Sequence, residues 1–387
     1  MKKEAMTADE RINAAIRLED VDRTPVIVGT SGPFLCRWKG MSVADAYRDL
    51  DKVIKAEVDL WDTLGGWDAR YSVVGVHDLS EHSHGLSSNW TVRFLMPGRE
   101  LPENIDVQGQ ETEIMKEDDY DRLFEIGWND FYLEMVNRIH KGVTGDMVRR
   151  AGEAHLSRAN KVRNVFEQKG VHHLLDERGL FTPIGRLAEL RSFPSFLRDL
   201  KYRYDTVKRA VLEVITPTFR ERFDQIMRGA SERGVKRLFV PLGRYVYPVI
   251  PRRVFEELVW SWLKRNVETI IAEGITPAFH FDADWSESFS YLKELPKGKC
   301  FVHWGGETDI FKAKEALRGH MCIMGGVSPA MISVTPPEEV EAHCRRLIDE
   351  VGKDNGFILC EGCYLPATAK FENVKVMVDV AKSHVPR

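Results

Sequence analysis

Three ionisable side chains alternate with other residues in the segment TPAFHFDADW, where His280, Asp282 and Asp284 stand at positions i, i+2 and i+4. In a β-strand, alternate side chains point to the same face, so His280 and Asp282 would share a face with Cα atoms about 6.6 Å apart. This spacing allows an imidazole and a carboxylate to bind one metal ion. The pattern therefore predicts a metal site, and a hydrogen-bonded structural histidine is the competing interpretation.

A second group of candidate ligands ends another apolar run, GFILCEGC, with Cys360, Glu361 and Cys363. A thiolate from this strand would complete three protein ligands with an open fourth position, the arrangement of catalytic zinc. The sequence has no second C-x-x-C pair, which disfavours a structural zinc ribbon. A thioredoxin-like redox pair would follow an early strand and begin a helix. We therefore expect one cysteine to be a ligand and the other to be its neighbour.

Further polar and aromatic candidates follow the segment VKRLFVPLG, where Arg244, Tyr245 and Tyr247 stand. Such residues can bind a carboxylate or an aromatic ring of a substrate. They can equally pack at the rim of the fold. His82 and His84 form another H-x-H in the segment EHSHG, which we interpret as a loop whose histidines contact a metal or a substrate.

These candidates require elements that bring them together. Short runs rich in Val, Ile, Phe and Leu alternate with amphipathic segments, which predicts parallel strands in βαβ units. Eight such runs occur: TPVIVG, RYSVVGV, VHHLLDERGLF, VKRLFVPLG, ITPAFHFDAD, KCFVHWG, HMCIMGGV and GFILCEGC. Eight strands predict an α/β fold of the (β/α)8 TIM barrel type, in which functional groups lie at the C-terminal strand ends. A doubly wound sheet is the alternative, but IVGTSGPF lacks its glycine-rich fingerprint.

The flanking segments are predicted from capping signals and composition. Two T-x-x-E capping boxes, at Thr7–Glu10 and Thr335–Glu338, predict helix starts. Residues 1–23 are expected to form an N-terminal helical extension. The less regular stretch around 80–130, with a Pro-Gly turn, is interpreted as an insertion. We expect residues 1–387 to form a single domain.

The composition excludes several classes of protein. The chain has 387 residues, of which 43% are hydrophobic and 29% are charged, and a formal net charge of −4. This favours a globular protein and disfavours a nucleic-acid-binding surface. The polar start and the lack of a long apolar window predict neither a signal peptide nor a membrane span. Six cysteines do not make a dense disulfide framework, so we expect a cytoplasmic protein. The oligomeric state is left open, a homo-oligomer included.

Several stretches, taken together, resemble a known family. The chain is similar to the uroporphyrinogen decarboxylase superfamily, and within it to the corrinoid-dependent methyltransferases. The resemblance spans nearly the whole chain and is strongest from Val235 onward. The stretches that carry it are MTADERINAAIRLEDVDRTPV, MPGRELPENI, PAFHFDADW, ELPKGKC, TDIFKAKEALRGHMCIMGGVSP, TPPEEVEAHCRRLIDEVG and GFILCEGCYLPATAKFENVKVMV.

The resemblance implies a (β/α)8 barrel with an N-terminal helical extension and a set of Zn²⁺ ligands. The methyltransferases commonly carry H-x-C where this chain has His280-Phe281-Asp282, and a later G-C that is Gly362-Cys363 here. The resemblance therefore implies that His280, Cys363 and, by position, Asp282 bind zinc. An aspartate replaces the usual cysteine, which leaves alternative ligands open. These are Asp284, Glu361 and Cys360.

The implied activity is a zinc-dependent O-demethylation. The enzyme would demethylate a small methoxylated, aromatic substrate and pass the methyl group to the Co(I) corrinoid of a partner protein, while zinc polarises the ether oxygen. Tyr245, Tyr247 or His84 would protonate the departing oxygen or position the ring. Arg244 and Trp90 would contact the substrate.

Other activities in the superfamily give the alternatives. One is the reverse transfer, from methyl-corrinoid to a zinc-bound thiol such as coenzyme M, which suits a site richer in thiolates than one containing Asp282. Another is a decarboxylating lyase, whose members resemble one another in an arginine-rich RQAGR segment after the first strand. Here the corresponding stretch, GTSGPFLCRWKG, has only Arg37. A catalytically silent corrinoid-binding subunit is the third.

Overall fold

The structure, a computed structural model, describes residues 5–72, 92–175 and 177–384. Short apolar runs, buried along most of their length, form its parallel strands. The strands are β1 (Val28–Thr30), β2 (Arg70–Ser72), β3 (Arg93–Leu95), β4 (Gln108–Gln110), β5 (Glu177–Arg178), β6 (Arg237–Leu242), β7 (Thr276–Phe281), β8 (Phe301–Trp304), β9 (Cys322–Val327) and β10 (Phe357–Glu361).

Helices occupy most of the connections between the strands. The α-helices are α1 (Ala8–Ile16), α2 (Gly32–Trp38), α3 (Asp45–Arg48), α4 (Leu50–Thr63), α5 (Asp119–Ile139), α6 (Gly145–Gln168), α7 (Pro183–Arg191), α8 (Phe193–Tyr202), α9 (Tyr204–Arg209), α10 (Thr216–Glu232), α11 (Arg252–Val254), α12 (Ser261–Ala272), α13 (Phe289–Leu292), α14 (Ile310–Leu317), α15 (Pro329–Val334), α16 (Pro337–Glu350) and α17 (Phe371–Ser383). Two π-helical segments, Ala210–Ile215 and Phe255–Trp260, precede α10 and α12, and a 3₁₀ turn spans Ser286–Ser288.

Eight of the described strands form two parallel sheets. Six strands pair in the order β10-β9-β8-β7-β6-β5, and β1 pairs with β2. Isolated parallel bridges, Val26 with Leu359 and Arg70 with His173, link the two sheets at both edges. The prediction of an α/β fold with parallel strands at the eight apolar runs is confirmed. The ladders of the described residues divide into two sheets and are not continuous around a barrel.

The region predicted as an insertion contains regular structure. β3 and β4 pair as an antiparallel hairpin, in which Phe94 is opposite Gly109. Helix α5 begins at Asp119, inside the stretch expected to be irregular. Because the apolar residues of α5, such as Leu123 and Phe131, are completely buried, this part belongs to the main core.

The N-terminal helix lies against one end of the sheet. The Thr7–Glu10 capping box is confirmed, with both reciprocal hydrogen bonds present. Ile12 and Ile16 pack with buried strand residues such as Ile358. The second expected capping box, Thr335–Glu338, is wrong: Pro336 is the N-cap of α16, no side chain caps the helix, and Thr335 ends the preceding helix.

Among the described residues, no helix combines the length and the apolar character that crossing a bilayer requires.

Candidate functional site

A large cavity opens where β5, β6, β7 and β8 end. Its volume is about 840 Å³. Residues that follow these strands line it, including Phe181 after β5, Tyr245 after β6, Asp282 and Ala283 after β7, and Glu307 after β8. The C-terminal ends of parallel strands are where such folds place their functional groups.

Two histidines lie side by side at this end of the sheet. His280 in β7 is opposite His303 in β8 in the strand register. Both side chains are buried, and their Nδ1 atoms are 3.0 Å apart. Phe239 stacks on His280 with ring centroids 6.1 Å apart, and Tyr71 contacts His303 edge-on at 5.5 Å. The two imidazole rings are therefore held by neighbours on both sides.

The hydrogen bonds assign the proton positions on these rings. His303 Nε2 is 2.8 Å from the carbonyl oxygen of Glu361, which can only accept, so His303 Nε2–H donates. Burial and the neighbouring His280 lower the pKa of His303 to about 3, so its ring is neutral and its Nδ1 is an acceptor. His280 Nδ1–H consequently donates to it. The His280 Nε2 atom is left to face the residues on its other side.

Asp282 lies on that side, and Cys363 also interacts with the imidazole. The distance from His280 Nε2 to Asp282 Oδ1 is 3.6 Å. Burial by itself lowers the pKa of His280, but interactions with Asp282 and with Cys363 outweigh it and raise the pKa to about 9. Without a bound ion, His280 is therefore largely an imidazolium at neutral pH, paired with these two groups.

The backbone around both partners has a conformation rare for residues other than glycine. Ala283, next to Asp282, has φ of 65°, and Cys363 has φ of 68°. Left-handed conformations at such residues cost roughly 1 kcal/mol or more and concentrate at functional sites. They lie just after β7 and β10, beside Asp282 and at Cys363 itself.

The donor chemistry fits a zinc ion. Two ligands on one tetrahedral zinc at about 2.0–2.2 Å are about 3.4 Å apart, close to the 3.6 Å between His280 Nε2 and Asp282 Oδ1. Imidazole, carboxylate and thiolate are all zinc ligands. Among the described residues, however, no three His, Cys, Asp or Glu side chains are gathered as a finished metal cluster. The fit rests on the spacing of the pair and on the types of donor.

The alternative ligands occupy different surroundings. Asp284 is exposed and accepts hydrogen bonds from Ser286 N and Oγ at 2.9 and 2.6 Å, which caps a turn. Cys360 is completely buried among apolar side chains, and burial raises the pKa of its thiol well above the usual value. A thiol that stays protonated is a poor ligand.

Glu361 is completely buried at the end of β10. Its Oε1 accepts a hydrogen bond of 2.5 Å from the Gly29 N–H, and its Oε2 has no hydrogen-bond partner among the described residues. Burial raises the pKa of Glu361 to about 7. Its backbone carbonyl, rather than its carboxylate, contacts the histidine pair. Glu361 therefore supports the site through its backbone.

The predicted substrate-binding residues are divided by the structure. Arg244 and Tyr245 line the cavity, and the Tyr245 hydroxyl donates to Gly185 O at 3.3 Å. Tyr247 does not line it; its ring lies under Arg252, 4.2 Å from the guanidinium carbon. His84 and Trp90 lie outside the described residues.

Sequence reasoning missed His303. Its signal was present in FVHW, where a lone histidine stands one residue before the end of a strand, as His280 does in TPAFHF. Sequence reasoning also missed the acidic residues of the cavity wall, Glu111, Glu189 and Glu307. Nothing in their local pattern distinguishes these from solvated surface carboxylates.

The chain is similar in sequence and in fold to known proteins. The uroporphyrinogen decarboxylase (URO-D) family model matches residues 191–384. A uroporphyrinogen decarboxylase from Azoarcus sp. (strain BH72) is 26% identical over 142 residues, which are 35% of this chain and 38% of that protein, so the match spans well under half of the relative. A methyltransferase from Methanosarcina mazei has the same fold, with a TM-score of 0.65 over 97% of this chain and 98% of that one, at 16% identity.

Proposed function

The chain belongs to the uroporphyrinogen decarboxylase family. We propose that it is a zinc-dependent methyltransferase that demethylates a methoxylated aromatic compound. The methyl group would pass to the corrinoid of a partner protein. The same fold in a methyltransferase supports the reaction class.

One observation carries this proposal. The imidazole of His280 has its Nδ1 committed to His303, its Nε2 faces Asp282, which lines the large cavity, and its ring also interacts with Cys363. A buried histidine whose second nitrogen is held this way is arranged as a metal ligand. His280, Asp282 and Cys363 would hold the ion. Zinc would supply a Lewis acid that makes an alkoxide or phenolate a better leaving group.

The cavity walls suit a flat, largely apolar substrate. Phe181, Phe193, Tyr245 and Val249 contribute apolar surface to the lining. The Tyr245 ring is edge-on to Phe193, with centroids 6.0 Å apart. Aromatic walls of this kind favour stacked or edge-on contact with a substrate ring. The role of these residues would be to orient the methoxy group toward His280 and Asp282.

Tyr245 is the candidate hydrogen-bond donor to the departing oxygen. Burial raises the pKa of its hydroxyl well above the usual value, so the hydroxyl stays protonated at any working pH. It lies in the cavity wall, where its only described hydrogen bond is the long one to Gly185 O. It could therefore turn to donate to the departing oxygen.

The charges of the cavity do not favour a decarboxylase. Its two arginines each have a carboxylate beside them: Arg186 contacts Glu189 at 2.7 Å, and Arg244 lies 3.9 Å from Glu111. Asp282 and Glu307 add further negative charge to the wall. A porphyrinogen with many carboxylates needs an excess of cations, because unpaired like charges repel. A neutral methyl ether does not.

We also infer that the two parallel sheets are parts of one closed (β/α)8 barrel. The bridges from Val26 to Leu359 and from Arg70 to His173 support this, because they place β1 beside β10 and β2 beside β5. Closure would bring β1, which carries Gly29, into the same ring of strands as β7, β8 and β10.

The test is a methyl-transfer assay with the purified, zinc-loaded chain. Free cob(I)alamin and a panel of methoxybenzenes are mixed with the protein, and the cobalt absorption is followed. We expect methylation of cobalt and release of a phenol. Both should be abolished in His280→Ala and retained in His320→Ala, because His320 lies just before the first residue of β9, at the opposite end of the strands. Transfer from methylcobalamin to thiols alone would favour the reverse reaction. Turnover of uroporphyrinogen would contradict the proposal.

A further inference from the structure

We propose that His303 is a positioning residue, which fixes the ring orientation and the proton position of His280 so that His280 Nε2 is free to bind the metal. This inference rests on the proposed function for the identity of the metal site. The hydrogen-bond arrangement itself can be tested without any metal or substrate.

The hydrogen bonds of His303 have a definite direction. The Glu361 carbonyl oxygen accepts from His303 Nε2 at 2.8 Å, and His303 Nδ1 is 3.0 Å from His280 Nδ1. A carbonyl cannot donate, so His303 Nε2–H is the donor to Glu361 O, and with the His303 ring neutral its Nδ1 is the acceptor for His280 Nδ1–H. His280 is therefore the Nδ1–H form whenever its Nε2 binds a ligand.

The carbonyl group that anchors His303 lies at the end of another strand. Glu361, which supplies this carbonyl, is the last residue of β10, and Cys363 follows two residues later. His303 thus connects the strand that carries His280 to the strand end that carries Cys363. Moving His303 would change the relative placement of these two candidate ligands, which no contact within one strand could control.

The His303 ring is closely packed. His303 is 2% exposed, with Tyr71 edge-on at 5.5 Å, and Tyr71 in turn stacks on Tyr364 at 4.8 Å. A ring held this closely on several sides has little freedom to rotate. Outer groups that orient a metal-bound histidine typically contribute 10–100-fold to metal affinity.

The direct test is NMR of the metal-free protein labelled with ¹⁵N-histidine. A scalar coupling between His280 Nδ1 and His303 Nδ1, transmitted across the hydrogen bond, is the expected result at pH 7.5. A His280 Nδ1 that bears no proton, or the absence of that coupling, would overturn the proposal. The NMR result does not depend on whether the protein transfers methyl groups.

Three variants then separate positioning from general stability. His303→Asn can keep an acceptor for His280 Nδ1–H, His303→Gln can keep the donor to Glu361 O, and His303→Phe keeps only a ring. By chelator competition, we expect zinc affinity to fall about 10–100-fold in the Gln and Phe variants and to be largely retained in the Asn variant. Thermal unfolding of the metal-free variants provides the control for folding.

The outcomes are distinguishable. If affinity instead follows the melting temperature across the three variants, or if Asn and Gln behave alike, His303 is only structural and the inference is wrong. If the NMR coupling and the affinity series are as expected but no methyl transfer occurs, the proposed function fails while the role of His303 stands.

Discussion

The Gly29 N–H donates a hydrogen bond of 2.5 Å to Glu361 Oε1, which joins residues 332 positions apart in the chain. Gly29 lies in β1, and Glu361 is the last residue of β10, directly behind the histidine pair. A Cβ atom on Gly29 would lie 2.4 Å from that oxygen and 3.0 Å from the Cys363 carbonyl oxygen. The absence of a side chain at Gly29 therefore permits the contact that supports this side of the site.

Gly29→Ala should accordingly destabilise the protein. Overpacking of this kind costs about 1–3 kcal/mol, because Glu361 is enclosed and cannot move into solvent. Urea unfolding gives the measurement. The matched control is Gly152→Ala in helix α6, where a Cβ meets nothing within 4 Å and where alanine typically stabilises a helix by about 0.5–1 kcal/mol. Equal effects of the two changes would contradict this account.

Two aspartates that are two residues apart should differ sharply in their contribution to metal binding. Asp282→Asn should weaken zinc binding by more than about 100-fold, beyond the effect expected of an outer-sphere group, because it removes a charged candidate ligand. Asp284→Asn should leave the affinity within a few-fold, since Asp284 caps an exposed turn. Chelator competition measures both. A larger loss in Asp284→Asn would move the assigned ligand to that position.

Zinc binding should depend on pH through His280. The pKa of His280 is raised to about 9 in the metal-free protein, so a proton occupies Nε2 below that pH and must leave before the metal binds. The apparent affinity should therefore fall by about tenfold or more for each pH unit from 8.5 down to 6.5. Titrations at three pH values test this. An affinity that is constant over the range would mean that His280 Nε2 is not the ligand atom.

The docking of the N-terminal helix should respond to acid. Burial alone would raise the pKa of Asp9, but hydrogen bonds from Arg237 and Lys236 outweigh it and lower the pKa to about 2 from 3.8. This contribution to stability is present above about pH 4 and is lost as the pH falls through about 2. Asp9→Asn should lower the free energy of unfolding by roughly 1–2 kcal/mol at pH 7, and the difference should shrink below pH 4.

The control for this prediction is Glu19→Gln. Glu19 pairs with Arg17 at the surface, where both side chains are more than half exposed, so the change should have little effect at any pH. A difference between Asp9→Asn and the parent that persists undiminished at pH 2 would show that the loss is not electrostatic.

Much of the fold was predictable because its signals are local. A strand buried on both faces requires a short apolar run, and its neighbours in a parallel sheet require intervening helices. Eight such runs therefore identified the eight parallel strands found among the described residues. The Thr7–Glu10 capping box was likewise readable, because both of its hydrogen bonds form within four residues. Helix α5 was missed at its start because the stretch before it has no such signal.

The amino-acid sequence by itself determined that His280 and Asp282 share one face at a strand end, because the period of a strand is two residues. Spacing alone did not decide which cysteine stands near them; the tertiary structure decided it, since burial of Cys360 and the turn at Cys363 depend on distant strands. It also decided that His303 is the partner of His280, through the register of β7 with β8. Register and burial are set by packing across the whole sheet, and no window of the sequence contains them.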